Sequence, residues 1–514
     1  MTDRPGAGVP AVSRSRPVLV FAGLMVAMLL ATLDTQVVAT ALPTIAGDLG
    51  GLNQFAWVTT AYLLTFTAVS PLYGKLGDLF GRRRVFLVAI VIFLVGSALC
   101  GAADSMTMLI IFRALQGIGG GGLTVSIFAI LGDLFDPREG ARYQSYATAV
   151  FGVSSVSGPL LGGVITDHLS WRWIFYLNMP LGVVALTLVA VFLRLPSAEA
   201  RRARIDYGGI VLLATASTAV ALLSSWAGHS YPWSSPVIIG LIAGAVVLIA
   251  AWLVVESKAA QPIIPLRLFR DSTFTIANVV AFVAGFVTMG ALTYVALYLQ
   301  MVTGVSPQSA GLLMLPLTAG LLIATTVSGQ IMFRTGSYKW FPAASMAVAA
   351  LAFVLLATLS VDSGLVVICG YLAILGLGGG LSQQTVVIAA QNTTPRADLG
   401  AATSTVTFTR MLGTLLGASI FGAILNSGLA GQSGLSQGIS VTPEAVSKMP
   451  ERARHAYELA FSHALTGVFL TGIPILLVAL AVALFMKNIP LAPRRNGPPA
   501  PAPEPEPAAK SSTP

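Results

Sequence analysis

The sequence has 514 residues, of which 55% are apolar and only 10% charged, with a mean hydropathy of +0.82. Soluble domains are about a quarter charged, so this composition excludes an ordinary soluble enzyme and indicates a polytopic membrane protein. The formal charge of +9 would suit a nucleic-acid partner, but the basic residues sit in short loops between apolar runs, where they set membrane topology.

A helix needs about 20 apolar residues to cross a bilayer. Fourteen such runs occur, near 17–42, 54–73, 85–103, 106–131, 143–165, 173–194, 207–226, 236–255, 273–298, 309–332, 340–360, 363–391, 399–426 and 464–487. The first is too long for a cleavable signal and contains Asp34. With the N-terminus in the cytoplasm, 23 of the 29 Lys and Arg fall in cytoplasmic segments. Four lie outside (Arg172, Lys448, Arg452 and Arg454), and Arg113 and Arg410 lie inside spans. Both termini are therefore expected in the cytoplasm, in an all-α membrane protein of fourteen spans.

The expected organisation follows. Residues 1–16 form a cytoplasmic tail and 17–205 a six-helix bundle. Residues 206–256 form two linking helices, and 272–487 a second six-helix bundle with an external loop at 427–463. Residues 488–514 form a Pro-rich disordered tail. Late in the external loop, Ala453, Ala456, Tyr457, Ala460, Phe461 and Ala464 recur at helical spacing, which predicts an amphipathic helix leading into the last span.

The stretch RALQGIGGGGLT, Arg113–Thr124, contains Gly117, Gly119 and Gly122 at the G-x-G-x-x-G spacing of dinucleotide-binding loops. It lies within an apolar span with no strand before it, so the glycines are read as close-packing positions. No phosphate loop of the G-x-x-x-x-G-K-[ST] type occurs, so neither a nucleotide nor another cofactor is expected. Cys100 and Cys369 lie in apolar runs and suggest neither a disulfide nor a metal site. His168, His229, His455 and His463 show no metal-ligand spacing.

The chain also repeats itself. GIGGG from Gly117 returns as GLGGG from Gly376, and GKLGDLFGRRR from Gly74 returns faintly as GQIMFRTGSYK from Gly329. Gly81 then corresponds to Gly336, Asp78 to Phe333 and Arg113 to Leu372. Such internal repeats mark secondary transporters, whose sites lie between the two halves.

Charged residues within spans are the candidate functional groups. A charge at mid-membrane is disfavoured by roughly 2.5–3.5 kcal/mol on insertion scales, so it faces the interior. Asp34 is read as a proton-coupling acid, as a contact for a cationic substrate, or as a structural ion pair. Arg113 cannot give up its proton, so it either tunes a neighbouring acid, binds an anionic group or bridges backbone carbonyls. Arg410 has similar roles open to it, or snorkels to the cytoplasmic edge. The loop with Gly74, Asp78, Gly81, Arg82, Arg83 and Arg84 is either a topology anchor or a gate. Gly158, Pro159, Gly162 and Gly163 are expected to break the fifth span, because proline removes a helical hydrogen bond.

These motifs together resemble the major facilitator superfamily, in its fourteen-helix drug:proton antiporter branch. GKLGDLFGRRRVFL resembles the family loop between helices two and three, and RALQGIGGGG its helix-four motif. SGPLLGG resembles its antiporter motif, with Ser154 where that motif usually has glycine. LDTQVVATALPTIAGDL, WRWIFYLNMPLG and QPIIPLRLF resemble that branch in particular. The resemblance implies two six-helix bundles plus two extra helices in a bacterial cytoplasmic membrane. It implies export of amphiphilic compounds in exchange for protons, with Asp34 and Arg113 coupling, Asp78 and Arg82–Arg84 gating, and Gly158-Pro159 sealing the path. The partners expected are a small amphiphilic substrate, protons and the lipid bilayer, with no nucleic acid, no nucleotide and no enzyme chemistry. Export of one lipid, siderophore or self-made metabolite, or membrane sensing without transport, are the other functions this scaffold could serve.

Overall fold

The computed structural model describes residues 17–50, 54–195, 206–227, 231–433, 446 and 449–491. The N-terminal tail, most of the Gly/Ser-rich loop, His229, Lys448 and most of the Pro-rich tail lie outside the described residues.

Each of the fourteen apolar runs coincides with helix. The first five are α1 (Pro17–Leu49), α2 (Phe55–Phe80), α3 (Arg82–Gly101), α4 (Met106–Leu134) and α5 (Pro137–His168). The sixth is divided into α6 (Arg172–Tyr176) and α7 (Asn178–Phe192). The linking pair is α8 (Tyr207–Trp226) and α9 (Pro236–Lys258). Then follow α10 (Ser272–Met301), α11 (Pro307–Leu313), α12 (Leu315–Thr335), α13 (Trp340–Leu356), α14 (Leu365–Gln383), α15 (Thr385–Thr393), α16 (Leu399–Ser433) and α17 (Glu451–Leu484). Among the described residues, twelve helical stretches are long and apolar enough to cross a membrane, and Trp340–Leu356 is a shorter apolar helix. The expected amphipathic segment is the first part of α17, continuous with the last apolar run.

Polar caps start several of these helices. The side chains of Ser105, Asp206, Ser235 and Asp271 accept from the amides of Met108, Gly209, Ile238 and Phe274. Apolar side chains such as Val246, Val247 and Val254 of α9 face outward, as a lipid-facing helix requires.

One expectation is corrected. Pro159 does not break the fifth span, because α5 runs unbroken from Pro137 to His168. Proline removes one helical bond, and apolar surroundings offer no water to replace the bonds on either side. The interruptions fall elsewhere, at Leu177, at Met314 before Pro316, and at Gln384.

The core has two main parts. Side chains of α1 to α7 form two apolar clusters, and those of α10 to α17 form a third. Helices α8 and α9 pair with each other against α2 and α16. There the Ser224 hydroxyl donates to the Leu415 carbonyl at 2.6 Å.

The sequence repeat reappears as packing. A Cβ on Gly117 or Gly121 would overlap α2, and one on Gly119 would overlap Phe93 of α3. In the second half, Gly376 and Gly380 meet α12 in the same way, and Gly378 meets Ala349 of α13. Gly81 and Gly336, paired by the repeat, both have positive φ, at 93° and 68°. The G-x-G-x-x-G stretch is therefore helix packing, and the described residues contain no strand to precede it.

Candidate functional site

Asp34 lies in the middle of α1, where the helix passes from one apolar cluster to the next. Leu30 and Ala31 belong to the cluster on one side, and Leu33 and Val37 to the cluster on the other. Its residue exposure is 1%, so its charge must be balanced inside the protein. Arg113 of α4 is equally buried and donates through Nη1 to Asp34 Oδ2 at 2.6 Å.

Two further side chains complete the carboxylate's shell. Gln116, one helical turn after Arg113, donates to Asp34 Oδ1 at 2.9 Å, while its own Oε1 accepts from Arg113 at 2.7 Å. Asn178 donates to Asp34 Oδ1 at 2.8 Å and to the Ser97 hydroxyl at 2.9 Å. Asn178 opens α7, directly after the interruption of the sixth span at Leu177. The Arg113 guanidinium also donates to the Val58 carbonyl at 3.4 Å and lies 4.3 Å from the centre of the Tyr62 ring. The result is a charge-neutral cluster joining α1, α2, α3, α4 and α7, in which both carboxylate oxygens of Asp34 are hydrogen-bonded. Sequence reading found Asp34 and Arg113 from their charge alone. It did not single out Gln116 and Asn178, although both stand in the quoted motifs RALQGIGGGG and WRWIFYLNMPLG, nor Ser97 and Tyr62, whose only signal was polarity inside an apolar run.

Another face of α1 meets α5. Thr32, Gln36 and Thr40 stand opposite Ser154, Gly158 and Gly162, with both sets spaced by one helical turn. Thr32 and Ser154 share a hydrogen bond of 2.7 Å between their hydroxyls. The Gln36 amide donates to Ser155 Oγ at 3.0 Å. A Cβ on Gly158 or Gly162 would overlap Gln36 or Thr40, whereas Gly163 faces open space and Pro159 lies on the exposed side. Ser154, the departure from the motif's usual glycine, supplies a bond that glycine cannot.

The loop from Gly74 to Arg84 lies at one end of the molecule and joins the two halves. Asp78 at the end of α2 accepts from the Gly400 and Ala401 amides at the start of α16, each at 2.9 Å. That is an anion on a helix N-terminus, where unpaired amides and the helix dipole favour it. Arg82 bridges Asp78 at 2.8 Å and Asp133 at 2.5 Å. Gly74 must be small, because a Cβ there would overlap Ser404 and Gly400 of α16. Arg83 donates to the Ala190 carbonyl at 2.5 Å, and Arg84 is exposed.

The equivalent place in the other half has Phe333 in place of Asp78, and the joint is made differently. Arg138, at the start of α5, donates to the Phe333 carbonyl at 2.8 Å and also to that of Arg334, at the C-terminal end of α12. Between these two joints, the half-buried amide of Gln391 donates to Thr403 Oγ1 at 2.8 Å and to the Phe128 carbonyl at 3.2 Å, and accepts from Gln144 at 2.9 Å. The hydrogen bonds linking α1–α7 to α10–α17 among the described residues all lie toward this end. Arg138 and Gln391 were missed by sequence reading, the first because it counted only as a topology charge.

Arg410 lies apart from the Asp34 cluster, within α16 of the second half. Its Nη2 donates at 2.6 Å to the Gln383 carbonyl, which stands where α14 gives way to α15. Its Nε is buried without a hydrogen-bond partner, and no carboxylate pairs with it among the described residues. The described residues contain no cluster of His, Cys, Asp and Glu able to hold a metal ion.

The family model described as Major Facilitator Superfamily matches residues 24–206 and 207–418. An uncharacterized MFS-type transporter of Mycobacterium tuberculosis is 41% identical over 493 residues, covering 94% of this chain and 72% of the relative. The multidrug transporter protein MdtP of Bacillus subtilis is 36% identical over 517 residues, covering 94% and 95% of the two chains. Among solved structures, the human organic anion transporter MFSD10 superposes with a TM-score of 0.64 at 14% identity, over 91% of this chain and 100% of that one. The proton:xylose symporter XylE superposes with a TM-score of 0.61 at 13% identity, over 92% and 96%. At such identities the superpositions speak to the fold alone.

Proposed function

We propose, from the premise that this chain belongs to the major facilitator superfamily, that it is a proton-coupled antiporter. It exports amphiphilic compounds across a bacterial cytoplasmic membrane by alternating access. The observation that carries this reading is the buried Asp34–Arg113 pair at 2.6 Å. Asp34 is the one acidic residue in the middle third of any helix among the described residues. The multidrug relative supports the cargo class, and the repeat supports a central path between two halves.

Asp34 has no exposed side-chain surface in this conformation, and both its oxygens are occupied. It therefore serves as the coupling acid and not as a contact for cargo. Protonation would cancel its charge and leave Arg113 buried with only neutral partners. Breaking such a buried pair is worth about 3–5 kcal/mol, enough to shift a conformational equilibrium by more than a hundredfold. The shift travels along α1, whose contact with α5 is the tight Thr32–Gln36–Thr40 seam. Helix α5 in turn packs on α12 across the divide and carries Arg138. In this reading Asp78, Arg82 and Arg138 hold the cytoplasmic end closed, and release of those joints opens the path inward.

The test uses inverted membrane vesicles energised to build a pH gradient, monitored with a quenched dye. Adding transported compounds should release protons in the wild type and not in Asp34→Asn. Proton release that persists in the variant, or that no compound from a panel of lipophilic cations, zwitterions and anions elicits, would overturn the antiport reading.

A further inference from the structure

The two intramembrane arginines differ in one decisive respect. Arg113 is neutralised by Asp34, and the pair carries no net charge. Arg410 has no such counterpart. From Ser272 to Ser433 the sequence contains only two acidic residues, Asp362 and Asp398, and both lie outside the long helices. Asp398 is already paired with Arg267 at 2.5 Å. The membrane-depth interior of the second half therefore carries one uncompensated positive charge.

Arg410 is not a snorkelling residue. It lies eleven residues into α16, and Thr414, one turn on, accompanies it against Gly285 of α10. Its neighbour Met411 packs on the core of the first half, and Leu412 on the linking helices. This stretch of α16 thus faces the meeting point of both halves and the linking pair. From there the guanidinium crosses to α14, where the interrupted helix leaves the Gln383 carbonyl free to accept. One carbonyl satisfies one of five donor positions, and the buried Nε–H remains unused. A carboxylate suits that fork, because a planar guanidinium bonds it through two parallel N–H groups.

We propose that Arg410 is the charge-recognition residue for cargo, and that the preferred cargo is an amphiphile bearing an anionic oxygen group, a carboxylate or a comparable acid, including zwitterions. The proposal rests on the transporter reading but separates its two halves. Proton coupling lies with Asp34 and Arg113, and cargo charge is read by Arg410. It also makes a purely cationic amphiphile the poorer cargo, since Asp34 offers no free oxygen and Arg410 repels it.

Equilibrium binding tests this without a gradient. Purified full-length protein in detergent is titrated into rhodamine B, which has a free carboxylate, and into rhodamine B ethyl ester, in which that group is masked. Fluorescence anisotropy reports binding. The wild type should bind the acid at least about tenfold more tightly than the ester, the size of one charge-assisted hydrogen-bonded pair. Arg410→Gln should abolish the preference by weakening the acid alone, and Arg410→Lys should retain part of it. Unchanged ester binding and an unchanged elution volume show that the variants are folded. Equal binding of both dyes by the wild type, binding of neither, or a Gln variant that leaves the preference intact or weakens both dyes alike, would overturn the proposal. Asp34→Asn should keep the preference for the acid. Loss of proton release with that preference retained supports both readings. Retained proton release would sink the coupling assignment and leave the cargo assignment standing.

Discussion

The two halves of the molecule are built to one helix plan and carry different chemistry. In the first, α4 packs its glycines on α2 and α3, and in the second, α14 does the same on α12 and α13. Yet the position of Arg113 is taken by Leu372, which is fully buried in the apolar core. The joints between the halves are inverted as well. Asp78 places an anion on the N-terminal amides of α16, while Arg138 places a cation on the C-terminal carbonyls of α12. Each is the charge that its helix end favours. Backbone approach has to be close in both copies for the helices to pack, so the glycines are common to both. A buried charge is needed only where it is used, so the charges are not.

The largest effect should come from separating the ion pair. Arg113→Ala leaves Asp34 buried without its counter-charge and should destabilise the protein by about 3–5 kcal/mol, read as a lower midpoint of thermal unfolding in detergent. Combining Asp34→Asn with Arg113→Gln should recover much of that loss. Arg410→Gln breaks no ion pair and should leave the midpoint nearly unchanged. If Arg410→Gln proved as damaging as Arg113→Ala, the contrast between a compensated and an uncompensated arginine would fail.

The two end joints should be next. Asp78→Asn weakens bonds to two amides and to Arg82, each a charge-assisted bond worth about 1.5–3 kcal/mol. Arg138→Gln loses bonds to two carbonyls and should act in the same direction but less strongly, because no ion pair goes with it. Both should raise the labelling rate of a cysteine placed in the joint, for instance at Ser404, with Asp78→Asn raising it more. Equal rates in the two variants would show that the joints are interchangeable. No change in either would show that the Gln391 layer alone holds the halves together.

Glycine substitutions then test the common plan. Gly119→Val and Gly378→Val each press a side chain into a neighbouring backbone and should cost about 1–3 kcal/mol, by similar amounts. Gly163→Ala, with open space around it, should be neutral or slightly stabilising by the same thermal assay. A large difference between Gly119→Val and Gly378→Val would mean that the halves tolerate overpacking differently despite their matched packing.

Much of this is legible in the amino-acid sequence itself. Long apolar runs announce helices unmistakably, because no other open structure satisfies the backbone in lipid. Gly81 and Gly336 could be paired across the repeat because positive φ favours glycine wherever it occurs. Asp34 and Arg113 stood out because charges are rare at that depth. What sequence could not supply was the rest of their shell. Gln116 and Asn178 are ordinary amides, and only the folded arrangement shows that α4 and α7 deliver them to one carboxylate. Helix interruptions were misplaced for a related reason. Proline advertises a break that α5 does not make, whereas the break at Gln384, beside Arg410's acceptor, has no proline to mark it.

The smallest effect bears on how the two halves of the α1–α5 seam are held. Ser154 stands where the motif usually has glycine, and its hydroxyl meets that of Thr32 at 2.7 Å. Each hydroxyl also has a carbonyl one turn back, Met28 for Thr32 and Val150 for Ser154, at 2.8 and 2.9 Å. Removing one hydroxyl therefore leaves the other still bonded, and Ser154→Ala should cost no more than about 1 kcal/mol. Ser154→Gly loses the same bond and adds the flexibility of a glycine within a helix, roughly 0.5–1 kcal/mol more. The thermal midpoints should accordingly fall in the order wild type, Ala, Gly. If Gly equalled or exceeded wild type, close backbone approach would be what holds this seam, as at Gly158 and Gly162, and the serine hydroxyl would be a passenger there.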